Sequence, residues 1–284
     1  MPDKITTAVI AAAGSATRMW PASKVYPKEL FPLGKIPVIV HLVWELMDAG
    51  IEEVIVVTAG RTGAAMQALF DPSNAAPEKI AGDPLVSRFQ ETLRRGVVTL
   101  MEQSGPYGNA TPLRDAADRV GNHSCIYAFG DDIVIGENAT KGLMRIFEQT
   151  GNPVMGAQEV APRRKSSFGI LECERDGDID YIKRILEKPK PGDTPSNLAS
   201  FGRYVVTPPV LDILRRTKVG RDNELWFVDG VGGHLQQGGK VCAHTLTSGN
   251  WYTVGDPQGY ADAVKAATEE QGGAGGEGDS PAKA

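Results

Sequence analysis

The chain alternates short, uniformly apolar runs with longer stretches whose apolar residues recur every three or four positions. Residues 6–13 are β-branched and alanine-rich and lead directly into a glycine-bearing stretch, the pattern of a buried strand entering a turn. Residues 38–49 carry apolar side chains at helical spacing and stop at Gly50, which suits a helix C-terminus. Residues 51–58 contain Val54-Ile55-Val56-Val57, a run that fits a strand covered on both faces. Strand, helix and strand in that order make a βαβ unit. Further on, the pattern predicts strands over 97–101, 124–129 and 153–159 and helices over 113–120 and 140–150. Stretches rich in Pro, Asn, Gly and Ala at 71–83 and 105–112 read as loops. Together these elements predict an open, mostly parallel α/β sheet, on which ligands bind beyond the carboxyl ends of the strands. The segments at Gly14, Gln103 and Asp131 each follow a predicted strand and are expected to converge there.

From Phe168 the texture changes. Two strands are expected over 168–173 and 179–186, joined by the turn-rich Glu174-Arg175-Asp176-Gly177-Asp178. A charged, proline-containing loop over 187–195 precedes a further strand at 200–207 and a helix at 208–216. This second region reads as an extension of the same sheet, so residues 1–271 are expected to form one unit with parts at about 1–160 and 161–271. Residues 272–284, rich in Gly, Ser and Ala, cannot bury a core and are expected to be a disordered tail.

Charge and cysteine usage narrow the chemistry. The net charge of -5 over 284 residues provides no basic field for general nucleic-acid binding. A few local Lys and Arg residues still suffice for a phosphate-bearing small molecule. The start of the chain lacks the long apolar stretch of a signal peptide, and no apolar run of about 18 residues predicts a membrane span. Cys125, Cys173 and Cys242 are far apart and lack metal-ligand spacing, so free thiols and a cytoplasmic setting are expected.

Candidate chemistry clusters at the strand ends. Ala13-Gly14-Ser15 forms a small-residue turn whose backbone N–H groups can approach a triphosphate closely. Arg18 and Lys28 follow within the same stretch and can offset phosphate charge. Asp131 and Asp132, just past a predicted buried strand, are a carboxylate pair of the kind that holds a hard divalent cation. Gln103 carries an amide that can donate and accept at one base edge. Read alone, Glu187-Lys188-Pro189-Lys190 is only a charged loop.

The segment from Thr17-Arg18-Met19 through Pro27-Lys28-Glu29 resembles the signature of the nucleotidyltransferases that make nucleoside-diphosphate sugars. It looks most like that of the bacterial UTP–glucose-1-phosphate uridylyltransferases, and the resemblance runs from about Ile5 to Ala266. It implies a Rossmann-like, open mixed sheet flanked by helices, with a sugar-binding β-rich extension. It also implies transfer of a uridylyl group from UTP to glucose 1-phosphate with Mg2+ as cofactor, and a homo-oligomer that binds neither nucleic acid nor membrane. By the same resemblance, Ala13, Gly14, Ser15, Gln103 and Gly108 contact the nucleotide, and Arg18, Lys28, Asp131 and Lys188 carry the catalysis. Asp131 is the implied metal ligand, Gly169 and Glu187 meet the sugar, and Lys188 binds its phosphate. Glu224 and Asp229 are expected at a helix start, supporting the sugar side.

Three positions depart from the family pattern. Ala16 replaces a usual Gly, Asn109 a usual His, and Thr253 the Asp that completes the metal site in many relatives. Two other readings therefore stay open. One is a nucleotidyltransferase for TTP or for another hexose phosphate; the other is a weakly active paralogue that binds nucleotide sugar and regulates a partner.

Overall fold

Alternation along the first strand sets the layers. In β1 (Thr7–Ala12), Ala8, Ile10 and Ala12 face one core and Val9 faces the other, all fully buried. A strand covered on both faces needs helices above and below it. The computed structural model of the protein describes residues 2–74 and 76–274, and it supplies those helices.

A small hairpin, β2 (Pro32–Leu33) and β3 (Ile36–Pro37), leads into α1 (Val38–Asp48). The helix is apolar nearly all round because it is covered twice. Ile39, Val40, Leu42, Val43 and Leu46 pack in the main core, and Val38 belongs to a smaller cluster. β4 (Glu53–Thr58) then runs parallel to β1, with Thr7 opposite Glu53 and Ala12 opposite Thr58. Next come α2 (Arg61–Phe70), α3 (Pro84–Arg95) and β5 (Val98–Glu102), the last parallel to β4. α4 (Thr111–Asp115) and α5 (Ala117–Val120) precede β6 (Cys125–Phe129), which lies parallel to β1 on its other side.

The rest of the chain completes the sheet. β7 (Asp132–Ile135), α6 (Ala139–Thr150) and β8 (Val154–Glu159) are followed by the hairpin β9 (Gly169–Asp176) and β10 (Ile179–Glu187). β11 (Leu198–Val206), α7 (Pro208–Arg216), α8 (Phe227–Gln236), β12 (Cys242–Thr245), β13 (Asn250–Thr253) and α9 (Pro257–Ala274) end the fold. The nine-stranded sheet has the order β5-β4-β1-β6-β11-β8-β12-β10-β9. It is parallel from β5 to β6, and β11 runs antiparallel to both β6 and β8. Because β8 lies between β11 and β12, the later strands interleave with the earlier ones in a single sheet.

Several elements differ from the sequence expectation. The helix predicted over 113–120 starts at Thr111 and divides at Ala116 into α4 and α5. β7 and β13 were not apparent as strands because each is only four residues long and pairs only with the other, across about half the chain. α9 packs over that ribbon, and its helix continues through Ala274. The tail boundary expected at 272 therefore falls inside a helix, while residues 275–284 lie outside the described residues. Among the described residues, no helix is long and apolar enough to cross a membrane. Cys125, Cys173 and Cys242 are all free thiols.

Two polar anchors tie the layers together. Arg203 on β11 is completely buried and grips Glu45 of α1 in a two-pronged pair, Nε to Oε1 at 3.1 Å and Nη2 to Oε2 at 3.0 Å. The same guanidinium donates to the carbonyls of Gly202 at 3.0 Å and Asp132 at 3.2 Å. Glu45 Oε1 also accepts from the Thr140 N–H at 3.0 Å and hydroxyl at 2.6 Å, which ties the start of α6 to α1.

The second anchor is Glu137. Its Oε2 accepts the backbone N–H groups of Thr247, Ser248 and Gly249 at 2.9, 2.7 and 2.8 Å. Burial works against the carboxylate, but these three donors prevail and hold its pKa at about 2. A carboxylate with a depressed folded-state pKa stabilises the fold above its ordinary pKa and loses that contribution as pH falls toward 2. Glu137→Gln should therefore cost about 2 kcal/mol at pH 7. Its urea midpoint should also fall less steeply than the wild type's between pH 5 and pH 2. Matching midpoints at pH 7 would show that the turn holds without the charge.

Candidate active site

The ends of β1, β5 and β6 open into a cavity of about 210 Å³. Ala13 and Gly14 enter it after β1, Gln103 after β5 and Asp131 after β6, joined by Lys28, Glu29, Tyr107, Gly108 and Asn109. Gln103 is fixed by its own backbone, whose N–H donates to the Thr58 carbonyl at 2.8 Å and extends the β4–β5 ladder by one rung. Gly108 is required by close packing. It has φ +148, and a Cβ there would stand 2.2 Å from the Leu225 carbonyl oxygen. Two backbone hydrogen bonds at 3.0 Å, Leu225 N–H to Tyr107 O and Ala110 N–H to Leu225 O, zip this loop to the segment before α8.

Lys28 is the charge centre of this cavity. Its ammonium donates to Asp131 Oδ2 at 2.5 Å and lies 4.0 Å from Glu29 Oε1. Burial alone would lower its pKa, but the charges of Asp131 and Glu29 and the Asp131 hydrogen bond raise it above the ordinary value. Burial pushes the Glu29 carboxyl up to about 7, against the pull of Lys28. Asp132 is raised to about 6, by burial first and by Asp131 second, while the Gly202 N–H at 2.7 Å opposes the rise. Asp131 therefore faces the open site, while Asp132 is almost fully buried at the edge of the adjoining cavity and supports the loop through the Gly202 N–H.

A second cavity, of about 180 Å³, adjoins the first. Gly169, Glu187, Ser200 and Thr253 line it together with Arg18 and Asp131, and Phe129, Phe168, Tyr204 and Trp251 form apolar walls. Gly169 and Glu187 are register partners across the β9–β10 hairpin, which brings the two expected sugar residues together. Arg18 reaches this second cavity, not the first, and its guanidinium lies 3.8 Å from Asp256. Asp256 in turn accepts the Gly259 N–H at 2.9 Å at the start of α9. Thr253 pairs with Asp132 at the end of the β7–β13 ribbon, and its hydroxyl accepts the Gly255 N–H at 3.4 Å. A Cβ on Gly255 would stand 2.6 Å from Asp131 Oδ2 and 3.2 Å from an Arg18 Nη, so this glycine lets three parts of the chain close on one point.

Two expected residues stand apart from these cavities, since Ser15 and Lys188 line neither. Lys188 is exposed, has φ +48, and places its ammonium 5.3 Å from the centre of the Trp226 ring. Glu224, expected to support the sugar side, lines the first cavity instead. Among the described residues there is no cluster of three or more His, Cys, Asp or Glu side chains poised to hold a metal.

Ala16 adopts the left-handed conformation at φ 50, ψ 39, just before the turn that carries Arg18. A methyl group there clashes with the following carbonyl at a cost of about 1 kcal/mol. Ala16→Gly should therefore raise the urea-unfolding free energy by about 1 kcal/mol and leave turnover intact. An unchanged or lower midpoint would mean that the loop relieves the clash elsewhere.

A sequence model of the family described as nucleotidyl transferase matches residues 7–270. The chain belongs to the nucleotidyl transferase family. It is 35% identical over 262 residues to a UTP–glucose-1-phosphate uridylyltransferase of Staphylococcus haemolyticus, covering 90% of each chain. It is 34% identical, with the same coverage, to an enzyme of that name from Staphylococcus epidermidis. A solved UDP-glucose pyrophosphorylase complexed with UDP-glucose superposes with a TM-score of 0.84 at 26% identity, covering 94% of this chain and 100% of that one. An apo UDP-glucose pyrophosphorylase gives 0.86 at 27% identity with the same coverage.

In this nucleotidyltransferase, sequence reading passed over Glu29 and Gly255 as site residues and did not see what holds the Asp131–Asp132 loop. Glu29 stood in the recognised motif, and its adjacency to Lys28 was the available signal. Gly255 and Arg203 stand in motif stretches of the sequence, but nothing local shows what they do, because their partners are distant in the chain.

Proposed function

We infer that the chain transfers a uridylyl group from UTP to glucose 1-phosphate, giving UDP-glucose and pyrophosphate. The observation that carries this reading is the pair of adjoining cavities that share Asp131, in a nucleotidyltransferase similar to enzymes named for that reaction. One cavity takes the nucleotide at Gly14, Gln103 and Gly108, and the other takes the sugar at Gly169 and Glu187. An oxygen of the sugar phosphate attacks the α-phosphorus of UTP. A new P–O bond forms, the bond between the α- and β-phosphates breaks, and pyrophosphate leaves with the electron pair. The nucleophile is already an anion, so no residue needs to remove a proton. Catalysis then rests on alignment and on stabilising charge.

Mg2+ fits this site as a cation shared with the substrates. Asp131 borders both cavities, and the neutral Thr253 hydroxyl stands where a second carboxylate would sit. A single carboxylate suits an ion that keeps water and phosphate oxygens as its other ligands. Bound there, it would neutralise charge on the reacting phosphates. Asp131 and Glu29 hold the Lys28 ammonium at the nucleotide cavity, where it would offset charge on the triphosphate. Arg18 adds positive charge from the sugar side. A cytoplasmic homo-oligomer belongs to the same reading through the resemblance alone.

Lys188 must leave Trp226 to reach the sugar phosphate, and its exposed, flexible stem permits that movement. Lys188→Ala should lower kcat/KM for glucose 1-phosphate at least about 100-fold while leaving the melting temperature unchanged. Turnover close to wild type would remove this lysine from the site.

The deciding test is pyrophosphate release by the purified protein with Mg2+, UTP and glucose 1-phosphate, with TTP as a parallel arm. Rapid release with UTP supports the reading, and release with TTP alone corrects the base. Binding of UDP-glucose without release from any pair would favour the regulatory paralogue, with Thr253 as the residue responsible.

A further inference from the structure

Among the described residues, three line both cavities: Asn109, Phe129 and Asp131. The new bond between the sugar-phosphate oxygen and the α-phosphorus must form at this boundary. Phe129 offers it an apolar ring, and Asp131 offers a carboxylate that can act on phosphate only through a cation. Asn109 is the remaining polar side chain, and its hydrogen bonds define which of its groups can serve.

Its Oδ1 accepts the Phe227 N–H at 2.8 Å, at the first residue of α8. A bond from a backbone N–H fixes the amide's orientation, because only the oxygen can accept it. Its backbone carbonyl accepts the Tyr127 hydroxyl at 2.5 Å. Tyr127 is itself fully buried within the core beneath α8, so Asn109 is clamped from two directions. Its Nδ2 donates to nothing among the described residues, yet it is not one of the sealed, unpartnered buried atoms. A held amide with Oδ1 occupied presents N–H donors and no acceptor to the boundary between the cavities.

We propose that Asn109 Nδ2 donates a hydrogen bond to a non-bridging oxygen of the α-phosphate under attack. The inference rests on the nucleotidyl-transfer reading of the site. A donor set rigidly in place where negative charge develops acts mainly on the transition state. The nucleotide contacts expected of Gln103 and Gly108 are unaffected, since both line the nucleotide cavity and not the other.

Two substitutions separate this role from helix capping. Asn109→Asp keeps the shape and the acceptor for Phe227, and a carboxylate is favoured at a helix start, so the melting temperature should hold or rise. Its Nδ2 donor is gone. Asn109→Ala loses both donor and cap, adds no charge, and should melt lower. Both variants should lose roughly 100-fold in kcat, the alanine variant being assayed where circular dichroism shows it folded. KM for UTP and for glucose 1-phosphate should stay within about threefold of wild type, because the lost bond acts in the transition state. Wild-type kcat in either folded variant would overturn the proposal. A rise in KM for one substrate with kcat intact would also overturn it, placing the amide on a base or a sugar hydroxyl. If the wild-type protein released no pyrophosphate from any substrate pair, the functional reading would fall and this inference with it.

Discussion

Replacing Asp131 with Asn should lower kcat by about three orders of magnitude in a protein that still folds. Among the described residues, Asp131 is the one carboxylate that borders both cavities, and it lies 2.5 Å from the Lys28 ammonium. The substitution removes the negative charge that would hold a cation between two phosphate groups. It leaves an amide oxygen that can still accept from Lys28, and Glu29 stays 4.0 Å from the ammonium, so the buried lysine keeps a counter-charge. The cost to stability should stay near 1 kcal/mol. Asp132 cannot take over, because it is buried and its carboxylate is already committed to the Gly202 N–H at 2.7 Å. Pyrophosphate release measured across a Mg2+ series would check this, with the half-saturating Mg2+ concentration expected to rise sharply. Wild-type turnover at ordinary Mg2+ would remove Asp131 from the metal site.

The features legible in the sequence are those whose cause is local. The apolar run before Gly14, the helical spacing of 38–49 and the strand before Asp131 need only period and turn chemistry, and β1, α1 and β6 lie where these put them. The convergence of Gly14, Gln103 and Asp131 was expected because each follows a strand of one parallel sheet, and all three line one cavity. What escaped depends on distant partners. The β7–β13 ribbon places Thr253 beside Asp132 across more than a hundred residues, and neither four-residue strand has a pattern of its own. Ala16 shows a different limit. Its identity was a visible departure, but only the backbone reveals that it occupies a left-handed conformation. Asn109 was legible only as a departure from the family's usual His, whereas its oxygen is bound to a helix start 118 residues further along the chain.

The Arg203–Glu45 pair should separate stability from activity. Arg203→Met alone leaves the Glu45 carboxylate, only 10% exposed, without its partner. Breaking a buried pair from one side costs about 3–5 kcal/mol, which should lower the melting temperature by about 10 °C in a chain of this size. Replacing both partners, as in Glu45→Leu with Arg203→Met, removes the unpaired charge and should recover most of that loss. Recovery should stop about 2 kcal/mol short, since Glu45 also holds the Thr140 N–H and hydroxyl. Turnover should not recover in parallel. The Arg203 guanidinium also holds the carbonyls of Asp132 and Gly202, and no aliphatic side chain can replace those bonds. With that clamp gone, the loop carrying Asp131 has lost part of its support, and kcat should remain about tenfold down in the restabilised double variant. Urea midpoints and pyrophosphate release measured on the same preparations would decide the matter. If kcat returned together with stability, Arg203 would act only through the fold; if it did not, the buried pair sets the geometry of the Asp131 loop as well as the packing beneath it.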